Sequence, residues 1–158
     1  MGLVAENSIS LECRSVSPEW REPLARFFCL LEEAGDYRHF HPHPLNAEEA
    51  KKLAEYVGKD LYYVLVEGRT VLGYGMLRGW DEGYEIPSLG IAVHPSARGM
   101  GLGQALMYFL HAAARRRGAK QVRLKVDRDN VNAIKLYRDV GYSFQAEEAG
   151  QLLGIVDL

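Results

Sequence analysis

Residues 98–103, Arg-Gly-Met-Gly-Leu-Gly, place a permanent cation and three alternating glycines where an apolar strand gives way to a helical pattern. At a helix start the first backbone N–H groups have no intrahelical partner, and the helix dipole adds positive potential. With no side chains at Gly99, Gly101 and Gly103, those donors are open to a ligand. Arg98 adds a formal charge, and the combination suits a pyrophosphate. A mononucleotide P-loop would need Gly-Lys-Ser/Thr, whereas Gly103 is followed by Gln104 and Ala105. A dinucleotide fingerprint fits in part: Asp127 ends the next strand, but Leu106 stands where Gly or Ala is needed. A ligand-free turn is the costlier explanation, because each glycine at a helix start weakens it against alanine.

Other candidates are less specific. His39, His41 and His43 alternate, yet no Cys or carboxylate accompanies them at a ligand spacing, and Pro42 and Pro44 favour a three-residue period that separates them. No metal is expected. Trp80, Asp81 and Glu82 offer an aromatic face with carboxylates, which suits an amino sugar or a cationic amine; an ordinary charged turn is the competing explanation. Arg115, Arg116 and Arg117 fall in the last predicted turn of a helix, where cations favour the dipole's negative end. With 19 basic against 21 acidic side chains there is no surplus for neutralising nucleic-acid phosphates. Two cysteines are too few for a disulfide framework. No apolar run reaches the ~20 residues of a membrane span, and the N-terminus has no leader pattern, so a cytoplasmic protein without membrane partners is expected.

The elements that must position these residues read in order. Ile9 to Val16 alternates as a strand. Ser17, Pro18 and Glu19 open a helix with Trp20, Leu24, Phe27, Phe28 and Leu31 on its apolar face, ended by Gly35. Asn46 with Glu49 caps a second helix reaching Gly58. Residues 61–67 and 70–78 make a hairpin about Gly68-Arg69, and residues 85–93 a third antiparallel strand. Residues 101–117 form an amphipathic helix with Leu102, Ala105, Leu106, Phe109, Leu110 and Ala113 on one face. A strand over 121–127, a helix over 130–140 and two strands from Tyr142 onward follow. Strand-helix-strand requires a parallel crossover, so the sheet is mixed. The absence of repeats and linkers makes residues 1–158 one domain.

Arg98-x-x-Gly101-x-Gly103 after Ile91-Ala92-Val93-His94-Pro95 resembles the acyl-CoA motif of the GNAT superfamily of N-acetyltransferases. Asn130-x-x-Ala133-x-x-Leu136-Tyr137, followed by Gly141-Tyr142, resembles that family's second element. The two are in register over residues 85–144. The resemblance implies an α/β (α+β) fold: a largely antiparallel mixed sheet of about seven strands with a parallel, splayed pair, flanked by about four helices. It implies acetyl transfer from acetyl-CoA to a primary amine, by a monomer or homodimer.

Site residues follow from the same resemblance. Ile91, Ala92 and Val93 would pair with the pantetheine arm, and residues Arg98, Gly99, Met100, Gly101, Leu102 and Gly103 would hold the pyrophosphate. Asn130 and Ala133 would meet the arm, Tyr137 would be the general acid at sulfur, and Glu85 the base. Relatives that acetylate ribosomal-protein N-termini commonly carry Leu-Glu-Val where this chain has Leu124-Lys125-Val126, which argues against that acceptor. A non-catalytic acyl-CoA sensor on the same fold is the alternative to an enzyme.

Overall fold

The computed structural model describes residues 10–158. Among the described residues, seven strands and four α-helices follow in the order β1 (Leu11–Ser15), α1 (Arg21–Glu33), α2 (Ala47–Ala54), β2 (Leu61–Glu67), β3 (Thr70–Arg78), β4 (Ser88–Val93), α3 (Leu102–Arg116), β5 (Gln121–Asp127), α4 (Val131–Asp139), β6 (Ser143–Glu148) and β7 (Gln151–Asp157). They form one sheet in the order β1-β2-β3-β4-β5-β7-β6. All neighbours are antiparallel except β4 and β5, which are parallel. The expected mixed sheet and helix count are present.

Local chemistry explains most boundaries. Asn46 accepts a hydrogen bond from the Glu49 N–H at 2.9 Å and opens α2. Gly35 ends α1 in the left-handed region at φ 83°, where a side chain would be strained. Four elements depart from the sequence reading. Ile9 lies outside the described residues, so the first strand is described from Leu11. Ser17 precedes a 3-10 turn over Pro18–Trp20, and α1 starts only at Arg21. Helix α2 stops at Ala54 rather than Gly58, because the following segment is held by another loop: the Lys59 N–H donates to Asp81 Oδ1 at 2.8 Å. Strand β4 begins at Ser88 rather than Glu85. Pro87 has no N–H to extend the ladder, and its carbonyl instead accepts from the Arg123 N–H at 3.0 Å.

The helices pack on both faces of the sheet. On one side Trp20, Leu24, Phe28 and Leu31 of the N-terminal helical segment meet Val64, Val66, Tyr74 and Met76. On the other, α3 and α4 cover Leu77, Leu89, Val122, Leu124 and Val126. The face α3 buries is turned one position from the expected one: Leu106, Met107, Leu110, His111 and Ala114 are inside, while Phe109 is 40% exposed. His111 is tolerated there because its Nε2 is 2.8 Å from the Tyr142 hydroxyl.

Candidate active site

The parallel pair parts almost as soon as it forms. Ser88 opposite Arg123 is its one registered residue pair. Beyond it, β4 stays paired to β3 through Val93, opposite Gly73. The His94 N–H donates to Leu72 O of β3 at 2.8 Å, while Pro87 O faces β5. Backbone N–H and C=O groups of a strand residue point the same way and alternate along the chain. Leu89, Ile91 and Val93 therefore turn theirs toward β5, where Ile91 and Val93 have no strand partner.

A cleft of about 790 Å³ fills the opening. Its walls include Ile91, Ala92 and Val93 on β4; Arg98, Gly99, Gly101, Leu102 and Gly103 at the start of α3; and Asn130, Ala133 and Tyr137 on α4. Of the expected cofactor residues, Met100 is the exception: it is 72% exposed and does not line the cleft. The glycines divide the work. Gly99 and Gly101 have φ of 75° and 82°, and a Cβ on either would meet nothing within 4 Å. They are required by backbone conformation and leave open space. Gly103 is instead tightly packed: a Cβ there would lie 3.2 Å from Leu136 Cδ2, the end of a flexible side chain. Gly101 is the N-cap of α3, so the free N–H groups of its first turn face the cleft. These features fit a pyrophosphate. Arg98 is paired with the carboxylate of Asp36, a residue of the α1–α2 loop that the sequence does not single out. Asn130 accepts from the Ala133 N–H at 3.4 Å as the cap of α4, leaving its amide N–H groups for other partners.

Tyr137 stands where this cleft meets a second one of about 450 Å³. It is 9% exposed, its hydroxyl has no hydrogen-bond partner among the described residues, and burial pushes its pKa up to about 12. The second cleft is walled by the α1–α2 loop (His39, Phe40, His41, Pro42), by Arg78, and by Glu82 and Tyr84 of the β3–β4 loop. Glu85 is exposed and lines neither cleft, although both Tyr84 and Ile86 line the second. Trp80 and Asp81 are also outside. Arg117 stacks 5.2 Å from the Trp80 ring, and Asp81 accepts from Tyr56 and the Lys59 N–H, which hold its carboxyl below the usual range.

The histidines do have a carboxylate, supplied from far away in sequence. His39 Nδ1 lies 3.1 Å and His41 Nε2 2.8 Å from Asp127 Oδ2, and Gln151 donates to Oδ1 at 3.1 Å. Burial works to raise the Asp127 pKa, but these three hydrogen bonds outweigh it and keep the group ionised. His43 turns inward instead, 2.9 Å from the Tyr74 hydroxyl. His39, Asp127 and Asp129 bring ligand-type atoms within 4.8 Å of one another. Asp127 Oδ2 is already occupied by two imidazoles, however, and Arg38 and Arg128 line the same hollow, which opposes a bound cation.

The model of the acetyltransferase (GNAT) family matches residues 24–142. The chain belongs to that family. It is similar to a mycothiol acetyltransferase of Geodermatophilus obscurus, 30% identical over 132 residues, which are 80% of this chain and 41% of that protein. The chain thus spans under half the length of that relative. Its fold matches the GNAT domain of S. lividans PAT (TM-score 0.81, 19% identity, 94% and 90% of the two chains). It also matches the PaiA N-acetyltransferase of Thermoplasma acidophilum, solved in complex with coenzyme A (TM-score 0.73, 16% identity, 95% and 100%). Among the described residues no helix is long and apolar enough to cross a membrane.

Proposed function

We propose that this chain is an acetyl-CoA-dependent N-acetyltransferase that passes the acetyl group directly to a primary amine, as one domain over residues 1–158. The observation that carries this reading is the opening of β4 from β5 after Ser88–Arg123, with unpaired backbone at Ile91 and Val93 and the α3 N-terminus at its end. An extended pantetheine arm can take the missing strand's place, with the pyrophosphate on the α3 first turn and Arg98. The complex of PaiA with coenzyme A supports the choice of cofactor for this fold.

The transfer forms a bond from the amine nitrogen to the acetyl carbon and breaks the carbon–sulfur bond. Three demands follow: a donor for the oxyanion, a base for the amine proton, and a proton for the sulfur. A β4 backbone N–H at Ile91 or Val93 serves the first. Tyr137 serves the last: with a pKa of about 12 it keeps its proton at neutral pH and donates to sulfur as charge builds there. Burial in the same cleft raises the thiol's affinity for that proton as well.

For the base, His39 takes the place of Glu85. It lines both clefts, and when its Nδ1–H donates to Asp127 its Nε2 is left as an acceptor. A carboxylate that orients and favours the imidazolium is the arrangement by which histidine becomes an effective base. Titration calorimetry tests the cofactor assignment. Acetyl-CoA should bind without competition from NAD or NADP, and Gly101→Val should abolish binding, since valine cannot hold φ 82° without strain. Tight NADP binding without acetyl-CoA binding would overturn it.

A further inference from the structure

The second cleft has a charge pattern that the chemistry of a base does not require. Arg78, Arg123 and Lys125 line it, against Glu82 as its one acidic side chain. Arg78 is opposite Ser88, and Ser88 is opposite Arg123. Directly paired residues share a face of the sheet, so the two arginines flank Ser88 in one row, about 10 Å apart across two strand spacings. Lys125, two residues on along β5, stands on the same face.

The three cations are poorly compensated. Arg78 spends one N–H on Pro42 O at 2.9 Å, a neutral acceptor. Lys125 has only a 3.6 Å pair with Glu148, whose side chain is 82% exposed. Arg123 makes no side-chain hydrogen bond or ion pair among the described residues, and its Nε is buried without a partner. A buried donor left unpaired is costly, and a guanidinium fork matches a carboxylate or phosphate in geometry and charge. A cleft of about 450 Å³ is the size for a small molecule.

We propose that the acceptor is a small amine that also carries an anionic group, a carboxylate or phosphate, seated between Arg78 and Arg123 with its amine toward Tyr137. This rests on the acetyltransferase reading and narrows its substrate. The same cations repel polyamines and other multiply charged amines, and Trp80 and Asp81, which would have favoured them, lie outside the cleft.

The test follows the Arg123 Nε–H resonance by NMR in coenzyme A-saturated protein during titration with matched amines. L-Phenylalanine is set against phenethylamine, and phosphoethanolamine against ethanolamine. Saturable shifts with at least one anionic member, at least tenfold tighter than with its neutral counterpart and lost in Arg78→Gln, support the proposal. The member that binds tells carboxylate from phosphate. Equal response within both pairs, or no response of Arg123 to either anion, overturns it. Failure of the acetyltransferase reading would register separately, as absence of acetyl-CoA binding and of thiol release.

Discussion

The carboxylate of Asp36, in the loop between α1 and α2, pairs with the guanidinium of Arg98 at the mouth of the larger cleft. The loop that helps wall the acceptor side is therefore tied to the cation proposed for the pyrophosphate. On that proposal, cofactor binding exchanges one anion for the other. Asp36→Asn should tighten acetyl-CoA binding several-fold, because Arg98 no longer has a competitor. Arg98→Gln should weaken binding and flatten its dependence on salt. Because Arg98 is half-exposed, the melting temperature should move little in either variant. Titration calorimetry at two salt concentrations checks the affinities and their salt dependence, and melting curves check the stability.

The two kinds of glycine in the cradle should fail differently. Gly101→Ala should lose both stability and acetyl-CoA affinity, since a left-handed backbone costs an L-residue about 1–2 kcal/mol. Gly103→Ala must push the flexible end of Leu136 aside by a few tenths of an ångström, with Val93 in ordinary contact, but it gains helix propensity, so its affinity should stay within a few-fold. Melting curves with and without acetyl-CoA separate the two outcomes.

Two inward-facing histidines should make the fold sensitive to acid. Desolvation lowers the pKa of both His43 and His111 from the ordinary 6.5. A histidine with a depressed folded pKa binds fewer protons folded than unfolded. Stability then rises with pH up to about 6.5 and is lost as pH falls below it. Melting temperatures from pH 8 to pH 5 should be flat above that point and decline below it. His111→Gln should show a shallower decline.

The identity of the base is decided by comparing Glu85 with His39. Glu85→Gln should leave the pH–rate profile superimposable on that of the parent. His39→Gln should lower kcat/KM by about 10²-fold or more at neutral pH, with a loss that shrinks as pH nears the amine's own pKa. Asp127→Asn should reproduce part of that loss through misorientation of His39. A Glu85 variant with the larger and pH-dependent defect would return the role to that residue.

What could be read from sequence follows the range of the interactions involved. The hairpin of β2 and β3 and strand β5 have their expected bounds, because alternation and the Gly68-Arg69 turn are local signals. The grouping of Arg98, Gly99, Gly101 and Gly103 with Asn130, Ala133 and Tyr137 around one cleft is legible for the same reason: they sit on short segments whose spacing one strand and one helix preserve. Glu85 lies off strand β4, contrary to the alternation, because Pro87 has no N–H with which to extend the ladder back to it. The buried face of α3 departs from the apolar periodicity because His111 counts as polar until Tyr142 is opposite it. The link of His39 and His41 to Asp127 joins residues 88 and 86 positions apart, and the Arg78–Ser88–Arg123 row exists only in the paired sheet. Nothing in the local sequence around any of these residues signals its partner.

If Tyr137 donates its proton to the sulfur of a bound acetyl-CoA, affinity and turnover must part in Tyr137→Phe. The parent protein should release free thiol from acetyl-CoA when an accepted amine is added. The variant should bind acetyl-CoA with unchanged affinity, since phenylalanine keeps the packed ring, yet turn over about 10²-fold more slowly. Unchanged turnover in the variant, or no amine-dependent thiol release by the parent across anionic and neutral amines, would contradict the account.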